Sequence, residues 1–157
     1  MGSASQPCAR EILETVPLVM RFIRDQVRRR RTAGLSLPQF RTLIFLRRVE
    51  DASLSAVAGH LGLSLPAMSR LINGLVAARL VARQIVLTNR RQIALTLTAR
   101  GRTTLEKARA EIRRQLAGPL KELSAAEQKA VQHAMELLRR TFEARTADAG
   151  KTCGGGP

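Results

Sequence analysis

Seven arginines stand between Ala52 and Leu105 (Arg70, Arg79, Arg83, Arg90, Arg91, Arg100 and Arg102), and that span holds no aspartate or glutamate. A guanidinium with no carboxylate nearby is free to meet an anion from outside, and its planar fork of donors matches phosphate oxygens. The flanks are different, with Glu50 and Asp51 on one side and Glu106 and Glu111 on the other. Solvated faces usually interleave both signs, so a one-sign block reads as a footprint for nucleic-acid phosphates. The plain alternative is chance placement in an arginine-rich chain.

Other chemistries find little support. His60 and His133 lie far apart, and neither has a Cys, Asp or Glu at metal-ligand spacing. His60 is expected on the surface of a helix, and His133 reads as a plain surface residue. No glycine-rich phosphate loop or nucleophile elbow occurs, so neither an enzyme nor a cofactor is expected. Cys8 and Cys153 form neither a disulfide framework nor a metal site.

Composition sets the class. The 157 residues carry a net charge of +15, so the partner should be acidic, nucleic acid before membrane surface. Hydrophobic residues at 45% and charged ones at 25% give the balance of a folded domain rather than a disordered chain. No apolar run approaches the roughly 20 residues that span a bilayer. The N-terminus lacks a basic-then-apolar signal pattern, so a cytoplasmic protein without membrane contact is expected.

The basic block must be held by something, and the flanking patterns say what. Residues 9–31 place Ile12, Val16, Val19, Met20, Ile23 and Val27 at helical spacing, with Pro17 set to kink or restart the helix. Arg28 to Arg31 read as its solvated end, and Thr32-Ala33-Gly34 as a break. Ser36 caps a second helix with Pro38 in its first turn and Phe40, Leu43, Ile44 and Leu46 inward. Ser55 is expected to cap a short helix with Val57, Ala58 and Leu61 inward, which Gly62 ends. Ser64 caps the next, with Pro66 in its first turn and Met68, Leu71, Ile72 and Leu75 inward. Two short helices across a glycine turn form a helix-turn-helix, whose second helix enters the DNA major groove. Its outward residues are Ala67, Ser69, Arg70 and Asn73, small or hydrogen-bonding, with one arginine able to take a guanine edge. Gly59 and Gly74 inside these helices each cost about 1 kcal/mol against alanine.

A hairpin follows at once. Val81 to Leu87 is one strand, Thr88 to Gln92 the turn, and Ile93, Leu95 and Leu97 alternate with Ala94 and Thr96 along a half-buried partner. The turn carries Asn89, Arg90 and Arg91. A basic hairpin after a helix-turn-helix makes a winged helix, and DNA supplies the anion its tip lacks.

These residues resemble the MarR family of bacterial winged-helix regulators. GLSLPQFRTLIFL (34–46), LSAVAGHLGLSLPAMSRLINGL (54–75) and RQIVLTNRRQIALTLTARG (83–101) stand in family order. By resemblance Arg70, Arg83 and Arg91 fall where members place DNA-contacting arginines, with Arg90 beside them. Ser55, Ser64, Pro66, Ala67, Ser69, Asn73 and Asn89 complete the expected DNA-contacting set. Asn89 replaces the family's wing aspartate, so a salt bridge that would orient the tip becomes a hydrogen bond at best. Ile85-Val86-Leu87 replaces the usual Pro/Asp/Glu-rich tip; either a longer strand packs these residues on the body or an apolar wing is exposed, and the first is expected, since exposed apolar edges invite aggregation.

The last third carries two more helices. Thr98 caps one with Leu105, Ala108, Ile112 and Leu116 along a side, ended by Gly118-Pro119. Ser124 and Glu127 form a capping box for another, with Val131, Met135, Leu138 and Phe142 inward. The resemblance implies that these helices interlock with the first helix of a second subunit. The fold expected is therefore mainly α, a winged helix-turn-helix with a two-stranded β wing and N- and C-terminal dimerisation helices. Its parts would be a dimerisation helix (1–35), a DNA-binding core (36–100), dimerisation helices (101–146) and a disordered tail (147–157).

The function implied is that of a homodimeric, sequence-specific regulator of transcription binding double-stranded DNA at a palindromic operator, a ligand-responsive repressor. The resemblance also implies a pocket near the first and second helices for a small aromatic or apolar effector, where Phe22, Phe40 and Phe45 are the aromatic residues. Some members sense peroxides through a cysteine inside the first helix. Cys8 lies before or at the start of that helix without aromatic neighbours, so it is a redox candidate against the plainer reading of an inert thiol. The rival class is a nucleoid or architectural protein that binds DNA irrespective of sequence.

Overall fold

A computed structural model describes residues 5–30, 32–85 and 93–149. Six helices and three short strands follow in the order α1 (Ser5–Arg30), α2 (Leu37–Arg48), β1 (Ala52–Ser53), α3 (Leu54–Leu61), α4 (Leu65–Ala77), β2 (Val81–Ile85), β3 (Ile93–Leu97), α5 (Ala99–Leu120) and α6 (Ala125–Ala149). They gather into two compact units, 1–115 and 116–157.

The first unit contains the core. Val27 of α1, Phe40, Leu43 and Leu46 of α2, Val57 and Leu61 of α3, and Met68, Ile72 and Leu75 of α4 are buried. Leu105, Ala108 and Ile112 of α5 join them, and Leu95 and Leu97 close the core from the sheet. Of the aromatic residues, Phe40 is buried and Phe22 and Phe45 are half-buried. Local chemistry sets the helix ends. The Ser36 hydroxyl accepts from the Gln39 amide while the Gln39 side chain accepts from the Ser36 amide, a full capping box. Gly62 closes α3 at φ 69°, which a side chain would strain.

The structure departs from several expectations here. Of the two alternatives at Pro17, a restart is excluded, since α1 runs unbroken for 26 residues; one lost amide bond is small against the turns on either side. Ser55 does not cap α3. The cap is Ser53, whose hydroxyl accepts from the Ala56 amide at 3.1 Å. The start moves because Asp51 turns the chain at φ 53° and Ala52 and Ser53 pair with β3, so the helix begins directly after that strand. The sheet then has three strands in the order β1-β3-β2, all antiparallel, with β3 in the middle. A central strand buries more than one face, so Ala94 is buried together with Leu95 and Leu97, while Ile93 at its outer end is exposed. Ile85 is likewise exposed rather than packed on the body; Val86 and Leu87 lie outside the described residues. Finally, α5 continues through Gly118 and Pro119 and ends at Leu120.

The stripe expected inside α6 is largely open in this single chain. Val131, Met135 and Phe142 are exposed and Leu138 is half-buried. The second unit holds only α6 and the end of α5, too few elements to cover it. In the first unit α1 leaves Leu13, Val16, Leu18, Val19 and Met20 exposed as well. No described helix is long and apolar enough to cross a membrane.

Candidate nucleic-acid interface

The second helix of the motif is built to present a polar face. Ser64 caps α4, its hydroxyl accepting from the Ala67 amide at 3.4 Å, and Pro66 occupies the first turn where no amide partner is needed. Met68, Ile72 and Leu75 anchor the inner side. Arg70 and Asn73, three residues apart and therefore neighbours on the surface, stand exposed on the outer side. Ala67 and Ser69 are half-buried beside them, and Pro66 is exposed. Arg70 has no hydrogen bond or ion pair among the described residues.

The hairpin adds a second cation to that face. Arg83 of β2 donates from Nη2 to Asn73 Oδ1 at 2.5 Å, which ties the strand to the helix and fixes a guanidinium beside Arg70's surface. The amide oxygen is uncharged, so this bond brings no countercharge to Arg83. Chain distance hides this bond; the only signal in the sequence is that both residues are polar at outward positions. Asn89, Arg90 and Arg91 lie outside the described residues.

Ser55 and Ser64 are exposed and also make local contacts. Ser55 Oγ sits 3.0 Å from Ser53 Oγ at the start of α3, and Ser64 is engaged in its cap. His60 is exposed on α3, as expected, with its ring 4.5 Å from that of Phe45, centroid to centroid. His133 is exposed on α6, and Cys8 is an exposed free thiol in the first turn of α1. Among the described residues no group of three or more metal-ligating side chains converges.

The base of the wing is clamped to α5. Thr98 Oγ1 donates to the Arg79 carbonyl at 2.7 Å and accepts from the Gly101 amide at 2.9 Å, so the same hydroxyl caps the helix and holds the turn after α4. Gly101 approaches so closely that a Cβ there would lie 2.0 Å from the Leu80 carbonyl oxygen. Nearby, Glu106 accepts from Arg47 and Arg109, each at 3.0 Å. The Arg109 hydrogen bond above all, with help from Arg47, holds its carboxyl below the ordinary value of 4.5. The other face of the sheet borders a cleft of about 400 Å³ lined by Arg47, Glu50, Asp51, Gln84, Thr96 and Arg102 among others. It carries both signs, unlike the face of α4 and Arg83.

Comparison with known proteins bears on this architecture. The model of the MarR family matches residues 33–92, which run from the turn before α2 to the hairpin. The HTH-type transcriptional repressor Rv2887 of Mycobacterium tuberculosis is 33% identical over 105 residues, covering 67% of this chain and 76% of the repressor. The chain belongs to the MarR family. Membership makes it a DNA-binding regulator of transcription with a winged helix-turn-helix. Solved structures agree with the fold. Rv2887 in complex with p-aminosalicylic acid superposes with a TM-score of 0.61 at 26% identity, covering 83% of this chain and 96% of that one. Rv1404 from the same organism gives 0.68 at 23%, covering 91% and 97%. A mutant of S. aureus MepR bound to an oligodeoxyribonucleotide gives 0.59 at 15%, covering 85% and 96%.

Proposed function

We propose that this MarR protein is a homodimeric repressor that reads a palindromic operator and releases it on binding a small ligand. The observation that carries the reading is the outer face of α4. There Arg70 and Asn73 stand exposed and Arg83 is hydrogen-bonded to Asn73, within a stretch from Ala52 to Leu105 that has no acidic residue. Arg70, Asn73, Ser69 and Ala67 would face base edges in the major groove, and Pro66 would face the adjoining backbone. Arg83, together with Asn89, Arg90 and Arg91 at the hairpin turn, would meet phosphates and the minor groove. Repression is supported by the 33% identity to a named repressor, and DNA as the partner by the MepR complex of the same fold. A dimer is supported by the open apolar stripes of α1 and α6 and doubles the phosphate contacts. Residues 1–35 and 101–146 would serve assembly and 36–100 DNA. An aromatic carboxylate is the effector class, by analogy with the p-aminosalicylic acid bound to Rv2887. A regulator of this kind works in the cytoplasm.

Selection of binding sites from random duplexes tests the reading. The expected product is an inverted repeat, with half-sites about one helical turn apart. Arg70→Ala should cost roughly 1–3 kcal/mol on the selected site and relax one base pair per half-site. Equal binding to every duplex, before and after the substitution, would instead assign the chain to sequence-independent DNA packaging. For the effector, a thermal-shift screen of aromatic carboxylates should yield a stabilising compound that also releases DNA; no hit removes that part of the proposal.

A further inference from the structure

We infer that the exposed pair Ile85 and Ile93 is an apolar DNA contact, packing against the deoxyribose walls of the minor groove next to the groove that α4 enters. The inference rests on the proposed DNA-binding face and extends it to residues with no charge and no hydrogen-bonding group.

The register of the hairpin places the pair. Val81 faces Leu97, Arg83 faces Leu95, and Ile85 faces Ile93. Side chains alternate along a strand, so these three pairs share one face of the sheet. At its inner end that face is core, with Val81, Leu95 and Leu97 buried. At its middle Arg83 reaches Asn73 of α4, so the face is turned toward the recognition helix. Ile85 and Ile93 continue it outward, at 67% and 52% exposure. Directly opposed residues keep their Cβ atoms within about 5.5 Å, so the two side chains make one aliphatic surface.

Such a surface is a liability unless something covers it. β2 is an edge strand of the sheet, and an exposed apolar edge favours pairing between chains. The surroundings say what the cover is. No carboxylate lies between Ala52 and Leu105, and Arg70 and Arg83 stand on the same side, so a polyanion is drawn to this face. Nucleic acid alternates charged phosphates with apolar sugar faces. Arg83 followed by the isoleucine pair repeats that alternation along the strand, and aliphatic side chains are a recurrent means of minor-groove contact. A sugar contact releases no counterions, so it adds affinity without adding salt dependence.

The test is the double variant Ile85→Thr with Ile93→Thr, which keeps β-branching and strand preference while removing aliphatic surface. Binding is measured by anisotropy on the selected operator and on a random duplex across a salt series, beside hydroxyl-radical footprints. The expected result is an affinity loss on the order of tenfold on both duplexes, with log–log salt lines parallel to the unsubstituted chain. Sugar protection should also weaken at the flanks of each half-site. The conservative double variant Ile85→Val with Ile93→Val should retain most of the affinity. Unchanged affinity and footprint overturn the inference. So does an equal loss in both double variants, which would mean a damaged hairpin. A change in sedimentation with unchanged DNA binding overturns it too, by assigning the pair to contact between chains. An unsubstituted chain that selects no operator would sink the regulator reading alone, because the random duplex still reports the sugar contact.

Discussion

Arg83 is held by Asn73 through a single neutral hydrogen bond, so its aim depends on a residue ten positions away in sequence. Asn73→Ala should therefore weaken DNA binding partly by releasing Arg83. A double-mutant cycle with Arg83→Ala measures this, and the two losses should be clearly less than additive. Strict additivity would show that Asn73 acts on DNA independently. A second residue-scale prediction concerns acid. Because Arg109 and Arg47 hold the Glu106 carboxyl below 4.5, its charged form is favoured in the folded chain. Its contribution is complete above the ordinary carboxylate range and is lost as pH falls through the lowered value. Urea midpoints followed from neutral pH downward should thus fall less steeply for Glu106→Gln than for the unsubstituted chain below about pH 4.5. The exposure of the group keeps the difference small. The Asn73–Arg83 bond was not legible in the sequence, since nothing local marks a pair that only tertiary packing brings together. The outward placement of Arg70 and Asn73 was legible, because Met68, Ile72 and Leu75 fix the inner face of α4 by their spacing.

Glycines separate the elements by what they permit. Gly59 and Gly74 sit within α3 and α4, and a Cβ at either would meet nothing within 4 Å. Gly59→Ala and Gly74→Ala should each raise the unfolding free energy by about 0.5–1 kcal/mol, read from denaturant midpoints. Gly101 is the opposite case. With the Leu80 carbonyl oxygen 2.0 Å from its hypothetical Cβ, Gly101→Ala should destabilise by roughly 1–3 kcal/mol or more. An alanine there with an unchanged thermal midpoint would show that α5 can slide away from the strand. Several element ends were readable from local chemistry, at the Ser36 cap, at Ser64 with Pro66, at Ser124 with Glu127 and at the positive φ of Gly62, whereas α5 runs past the stop expected at Gly118-Pro119. The shift of the α3 cap from Ser55 to Ser53 was not readable, because it follows from the pairing of Ala52 with Leu95, a two-residue strand too short to carry a periodicity. The same hidden strand explains why Ala94 is buried where simple alternation left it outside.

At the scale of the whole molecule, the apolar stripes of α1 and α6 are the features a single chain leaves unexplained. Their spacing was legible, and their partner was not, since one sequence does not say whether a stripe meets its own core or another copy. The proposed dimer predicts that removing residues 124–157 yields monomer or insoluble chain in sedimentation velocity, and that DNA affinity falls with it. A truncated chain that stays a soluble dimer would place the interface elsewhere.

The clamp at Thr98 leaves almost no slack between four elements. One hydroxyl joins the turn after α4 to the start of α5, the Thr98 amide reaches the Leu80 carbonyl at 3.2 Å, and Gly101 presses on that same carbonyl. The first turns of α5 and the root of the hairpin thus behave as one stiff bracket. In the proposed dimer a rotation of the first turns of α5 would therefore carry the root of each hairpin with it.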